Sequence, residues 1–355
     1  MIADHLNAID HANFRSVCSS WRASSYKRPT IPLIIMGNYN KRGIQTICFF
    51  DTDINHIINL SKFTIEFGSY FCGSSHGWLA FFSQPFLRIC LQNPITGARF
   101  MLPKTYVYCD AGFDEPFPIK VMLYPIEVRK FGLLNSLPAK VVLSGPATDP
   151  HCIIAIIWRH CQRVDFCKVK DEAWKTIEYY GRLVFQDLLF YKGHLYLSYK
   201  ANIFHLDMEA NKGEGEIVLV ARAGPMEFGR IKMSFLVEFC GDLLLILCFN
   251  IGDCKYKLWK VNLEKNNRLE LLQDQGERVV FLGHSGAVGM PPMSLLGSRP
   301  DSFFGRELFN MFQSDCNVFD VYDHYGDMNL KLKEYEVDIN IWEPISWFQP
   351  CLQYS

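Results

Sequence analysis

The sequence predicts an all-β fold, a six- or seven-bladed β-propeller preceded by a short α-helical segment, and three observations carry that expectation. From Ile31 onward, short runs of Ile, Val, Leu, Phe and Tyr recur about every ten residues between Gly, Pro, Asn and Asp. Helical periodicity is nearly absent from the same stretch. A repeated unit is also legible: a turn with Gly, an apolar strand, a variable loop, then an alternating strand that ends on Asp or Asn.

The repeated unit appears four times. Gly77-Trp78-Leu79-Ala80-Phe81-Phe82 leads to Leu87-Arg88-Ile89-Cys90-Leu91-Gln92-Asn93, and Gly193-His194-Leu195-Tyr196-Leu197 leads to Ile203-Phe204-His205-Leu206-Asp207. Gly241 to Ile246 is followed by Tyr256 to Asn262, and Ile153 to Ile157 by Val164 to Lys168. The step from Gly193 to Gly241 falls within the ~40–50 residues of a four-stranded blade, so the roughly 320 residues after the linker make six or seven blades. Strands buried between neighbouring blades read as solid apolar runs, whereas the outer strand alternates because one side meets water. Closing the ring removes the long exposed edges of an open sheet. A doubly wound α/β fold fails for lack of helical patterns between the strands.

Composition narrows the function classes. The 355 residues are 49% hydrophobic and 14% aromatic, ample for a large core and against disorder. A net charge of -1 gives no basic field to hold phosphate backbones, so nucleic acid is not expected as a partner. Lys255 to Arg268 reads as the polar face of a strand hairpin. The 13 cysteines are odd in number and contain no CxxC pair, and Cys48, Cys90, Cys167 and Cys248 sit in apolar runs as small buried thiols. Asp4 and Asp10 interrupt the place where a signal peptide needs an apolar core. The longest apolar run, Leu243 to Phe249, is far short of the ~20 residues that span a bilayer. No membrane association is expected, and the chain is placed in the cytoplasm and/or nucleus.

Ile2, Leu6, Ile9, Phe14, Val17 and Trp21 recur at steps of three to five, the period of a helical stripe. Asp10 is placed to cap a helix from His11 to about Arg22. The pattern dissolves after Ala23, which sets residues 1–25 as the helical part, 26–30 as a linker and 31–355 as the propeller. The string from Asp10 to Arg22 resembles the end of an F-box, whose last helix commonly reads Phe-Arg-x-Val-Cys-x-x-Trp-Arg, here Phe14-Arg15-Ser16-Val17-Cys18-Ser19-Ser20-Trp21-Arg22. That resemblance implies a Skp-type adaptor as partner, with Ile2, Leu6, Ile9, Phe14, Val17 and Trp21 as its contact residues. A full F-box is roughly twice as long as this segment and opens on a Leu-Pro motif that is absent here, so a partial F-box with a reduced adaptor surface is expected.

A second resemblance covers most of the chain. Gly73-Ser74-Ser75-His76-Gly77-Trp78-Leu79, Asn93-Pro94-Ile95-Thr96-Gly97-Ala98 with Leu102-Pro103, Lys140-Val141-Val142-Leu143-Ser144, Asp171-Glu172-Ala173-Trp174, Tyr191-Lys192-Gly193 and Val280 to Gly286 occur in order. These marks resemble the KIB-type β-propeller of plant F-box proteins. Fewer of them fall between Leu295 and Asp315.

Three motifs invite a chemical interpretation. Gly73-Ser74-Ser75-His76-Gly77 satisfies GxSxG, but a nucleophile elbow needs a helix after the serine, whereas Trp78 to Phe82 continues as a strand. A tight turn is expected, with Gly73 and Gly77 supplying unusual backbone angles. Gly283-His284-Ser285-Gly286-Ala287-Val288-Gly289 lacks the Lys-Ser/Thr of a phosphate loop and is expected to be another turn. His151, Cys152, His160, Cys161 and Cys167 match no zinc spacing and are taken as structural thiols and exposed histidines. Asp171-Glu172, Asp51 and Asp53 lie in turn-like stretches.

No catalytic, cofactor or metal site is therefore expected, and the chain is not expected to be an enzyme. The resemblances imply the substrate-receptor subunit of a Skp-cullin-F-box ubiquitin ligase, with the propeller capturing a protein whose identity stays open. A stand-alone propeller that binds a protein without the adaptor is the alternative. An enzymatic or sugar-binding propeller has no motif in its favour.

Overall fold

Helix and strand divide where the sequence periods divide. The computed structural model describes residues 6, 8–24, 33–40, 43–51, 56–58, 60, 63–66, 68–83, 86–105, 138–159, 162–179, 183–210, 215–222, 231–249, 255–263, 268–272, 279–283, 286–290, 318–320 and 342–348. Among these, the helices are α1 (Ala8–Ser16) and α2 (Ser19–Ser24). The single helix expected from His11 is thus two, and Asp10 is no N-cap. It lies in the first turn of α1, where a carboxylate still faces the positive end of the helix. The chain breaks at Val17-Cys18, and the Cys18 Sγ accepts the Trp21 N–H at the start of α2.

Among the described residues, every regular element after the helices is a strand. The first group is β1 (Leu33–Asn40), β2 (Gly43–Asp51) and β3 (His56–Ile58). The second is β4 (Ser69–Ser75), β5 (Trp78–Ser83), β6 (Arg88–Gln92) and β7 (Arg99–Lys104). The third is β8 (Pro138–Leu143), β9 (Ile153–Trp158), β10 (Arg163–Lys168) and β11 (Lys175–Glu178). The fourth is β12 (Asp187–Tyr191), β13 (His194–Tyr199), β14 (Asn202–Asp207) and β15 (Glu216–Arg222). The fifth is β16 (Ile231–Phe239), β17 (Asp242–Phe249), β18 (Lys255–Asn262) and β19 (Arg268–Leu271). Last come β20 (Val279–Gly283), β21 (Gly286–Met290), β22 (Val318–Asp320) and β23 (Trp342–Phe348).

Each of the second to fifth groups is an antiparallel four-stranded meander. β23 pairs antiparallel with β1, setting Phe348 opposite Leu33, so a strand from late in the sequence completes the group that the earliest strands begin. The first strand of each group touches the next group: β4 meets β8, β8 meets β12, β12 meets β16, and β16 meets β21. β20 and β21 meet β23, which returns to β4. The circuit closes through six groups of described strands. Edges that an open sheet would expose are thereby covered.

Burial follows this geometry. All six residues of β5 are buried, and β9 is buried at five of its six positions, because blades cover both faces. The outer strands β7, β11, β15 and β19 are instead exposed or half-buried, with at most one buried position each. Between blades the core is aliphatic and aromatic, with Trp78, Phe82, Val141, Ile154 and Trp158 meeting where the second group faces the third.

The glycines of the repeated unit are turn residues. His76-Gly77, Lys192-Gly193 and Cys240-Gly241 are three two-residue hairpins whose central residues all have φ between 49° and 81°. A turn with both central residues left-handed matches the twist of the strands it joins, and its second position favours Gly. The terminal Asn or Asp has its own cause. Asn93 Oδ1 accepts the N–H groups of Ile95 and Thr96, and Asp207 Oδ1 those of Glu209 and Ala210, so each side chain closes the turn after its strand.

Candidate functional site

The helical pair is fastened by one residue and displays others. Ile9 is buried among Leu33, Ile35, Phe49, Leu79, Phe81 and Phe348, where the first and second groups meet. Five residues further on, at about 100° per residue, Phe14 lies roughly 140° round α1. It stacks on Trp21 of α2 with ring centroids 4.5 Å apart. Trp21 is 44% exposed and Val17 60%, which leaves an apolar ridge facing outward. Such patches mark interaction sites when contiguous. Of the expected adaptor contacts, Val17 and Trp21 are exposed, Phe14 is half-buried under its stack with Trp21, Leu6 is half-buried, Ile9 is spent on the propeller, and Ile2 lies outside the described residues.

The GxSxG segment is a seam between blades. Ser75 Oγ donates to the Leu143 carbonyl and accepts the Leu143 N–H, at 3.4 and 3.3 Å, tying β4 to β8. Gly77 has the expected left-handed φ of 75°. Gly73 does not; its role is close approach, since a Cβ built there would stand 2.3 Å from the Val141 carbonyl oxygen. His76 closes the turn with φ 50°; the residue is exposed overall, but partial desolvation of its imidazole pushes the pKa down, against weaker support from the Leu143 backbone and Glu238.

A pH dependence follows. The unfolded chain protonates this imidazole near ~6.5, while the folded chain holds it below that value. Its contribution to stability is full above ~6.5 and is lost as pH falls from there toward the depressed folded value. His76→Asn keeps a residue tolerant of left-handed φ. Its urea midpoint is therefore expected to fall less than the parent's between about pH 7.5 and about pH 5.5. An equal fall in both would remove His76 as the cause.

The other motifs resolve similarly. Gly283 pairs with Gly286, so β20 and β21 run side by side, with Gly286 to Gly289 inside β21, while the expected turn at His284 and Ser285 lies outside the described residues. Cys152 donates its thiol to the Gly145 carbonyl, and burial pushes the Cys152 and Cys167 thiols up. His160 and Cys161 lie outside the described residues. Burial pushes the Asp165 carboxyl up, while Arg163 at 3.3 Å and bonds from Thr176 and Trp158 support its charge.

One polar cluster was missed by the sequence reasoning. Asp187 Oδ1 accepts Lys140 Nζ at 2.5 Å and the Leu188 N–H, while Oδ2 accepts the Leu236 N–H at 2.7 Å. Both partners of the pair are buried, and with Leu236 the cluster draws on β8, β12 and β16, in three successive blades. The available signal was a charged residue inside an apolar run, Lys140 before Val141-Val142-Leu143 and Asp187 before Leu188-Leu189.

Meandering four-stranded groups that touch through their first strands and close on themselves define a β-propeller, here with two helices seated on it through Ile9. The chain belongs to the KIB1-4 beta-propeller family, whose model matches residues 52–323. It is 21% identical to the Arabidopsis thaliana protein named "Putative F-box protein At5g55150", over 96% of this chain and 89% of that one. Among solved structures it is similar to a protein of unknown function from Bacteroides caccae, with a TM-score of 0.37 and 13% identity over 71% of this chain and 76% of that chain. It is also similar to a quinonprotein alcohol dehydrogenase-like protein from Bacteroides thetaiotaomicron, with a TM-score of 0.39 and 12% identity over 70% of this chain and 52% of that chain.

Proposed function

We propose that the chain is a substrate-receptor subunit of a Skp-cullin-F-box ubiquitin ligase, in which the helices hold a Skp-type adaptor and the propeller captures a protein. The observation that carries this is the outward ridge of Phe14, Val17 and Trp21 on helices fixed to a propeller of the KIB1-4 family. An aromatic pair displayed on a rigid base is the kind of anchor that dominates interface energy. The subunit is a binding protein rather than an enzyme: it speeds ubiquitin transfer by raising the effective concentration of substrate lysines near the ligase. It works in the cytoplasm and/or nucleus.

Adaptor capture tests this. The full chain is expected to bind a purified Skp-type adaptor, and Trp21→Ala is expected to cost about 2 kcal/mol, roughly thirtyfold in affinity. Because Trp21 is well exposed, Tm should hardly move. A parent chain that captures no adaptor, or a Trp21→Ala chain that captures it equally well, would count against the proposal. The burial of Ile9 and His11 favours a second reading, a propeller that binds its protein partner without the adaptor, since α1 is already packed at two positions. Proximity labelling with the full chain separates the two by the presence or absence of adaptor and cullin peptides.

A further inference from the structure

Two histidines that the sequence places eleven positions apart lie together on the fourth blade. His194 opens β13 and His205 lies on β14 opposite Tyr196, so the two are diagonal neighbours on one face. Their rings stand 5.2 Å apart, centroid to centroid, with an interplanar angle of 67°. His194 is exposed and His205 half-buried, and no described group hydrogen-bonds either imidazole. Asp207 follows two residues along β14 on the face of His205. Its Oδ1 is taken by the turn amides of Glu209 and Ala210, while its Oδ2 has no hydrogen bond among the described residues.

We propose that His194 and His205 form a chelating site for a borderline divalent transition ion of the Zn²⁺ or Cu²⁺ kind, with water completing the coordination. The spacing carries this. An imidazole nitrogen sits about 2.0–2.1 Å from such an ion, which puts each ring centre about 3.2 Å from it, and a tetrahedral angle between them then sets the centroids about 5.2 Å apart. The observed separation matches, so two side chains that already touch need only present their nitrogens inward. Imidazole is the ligand such ions prefer among neutral side chains.

Electrostatics agrees with the geometry. The charge of Asp207, beside the pair and outside the ligand set, favours a cation at the same place. A bound ion would cross-link β13 and β14 at the end of the blade where the Asp207 turn begins. The site is independent of the adaptor ridge, which lies on the helices.

Calorimetric titration of the full chain with ZnCl₂, thiols kept reduced, tests the assignment. His194→Ala and His205→Ala are each expected to remove one equivalent of zinc, or to weaken it at least about tenfold. His151→Ala, an exposed histidine elsewhere, should keep that equivalent. Far-UV circular dichroism identical to the parent establishes that the variants are folded. The assignment is overturned if the parent binds no zinc more tightly than about millimolar, or if both single variants retain the parent's stoichiometry and affinity.

Discussion

Asp187→Ala is expected to destabilise the protein by about 3–5 kcal/mol, the loss that follows when one partner of a buried ion pair is removed and the other stays charged. Nothing described replaces the carboxylate. Lys140 would keep its ammonium group in a dry position between β8 and β12, and the Leu188 and Leu236 amides would lose their acceptor. Because the three donors come from three blades, the damage spreads across half the ring rather than one sheet. For a chain of this size the midpoint should drop on the order of 10 °C. The double variant Lys140→Met, Asp187→Asn removes both charges while keeping an oxygen for the amides, and should recover most of the loss. A single variant that costs less than about 1 kcal/mol would mean that the pair is solvated in solution and does not bind the blades together.

The same pair marks what was legible in the sequence and what was not. Strand positions could be read because burial between blades leaves a one-dimensional trace: β5, β9 and β17 are unbroken apolar runs, and each lies where its run predicted. The turns were legible too, since the left-handed positions at 77, 193 and 241 all carry Gly. What could not be read was anything created by closure of the ring. Lys140 and Asp187 are 47 positions apart, and nothing local to either names the other. Trp174 donates to the Pro103 carbonyl from 71 positions away for the same reason. The helical stripe misled in a different way. Its period shows which residues share a helix face, yet the break at Val17-Cys18 turns the second segment, so that Ile9 enters the core while Trp21 folds back onto Phe14 in the open. His194 and His205 belong to neither pattern: each alone is an ordinary surface histidine, and only the register of β13 with β14 pairs them.

Gly73→Ala should be nearly as damaging as the loss of Asp187, although it adds a single methyl group. The added Cβ would meet the Val141 oxygen at 2.3 Å and the Val141 carbonyl carbon and amide nitrogen at 3.2 Å each. These atoms are backbone, on a strand held by the pairing of Val141 with Ile156 and, two residues on, by the Ser75 bonds to Leu143. A crowded side chain can rotate away; a crowded strand must shift whole, and shifting β8 from β4 opens the aliphatic seam where Val141, Ile154 and Trp158 pack. Overpacking typically costs about 1–3 kcal/mol, and a rigid neighbour places this case at the upper end. Gly145→Ala is the matched control, because a Cβ there meets nothing within 4 Å and should leave the midpoint within about 0.5 kcal/mol of the parent. Urea unfolding of the two variants side by side reads the difference directly. Equal midpoints would show that the first strands of neighbouring blades slide past one another at little cost, and the close approach at Gly73 would then lose its role in setting the spacing of the ring.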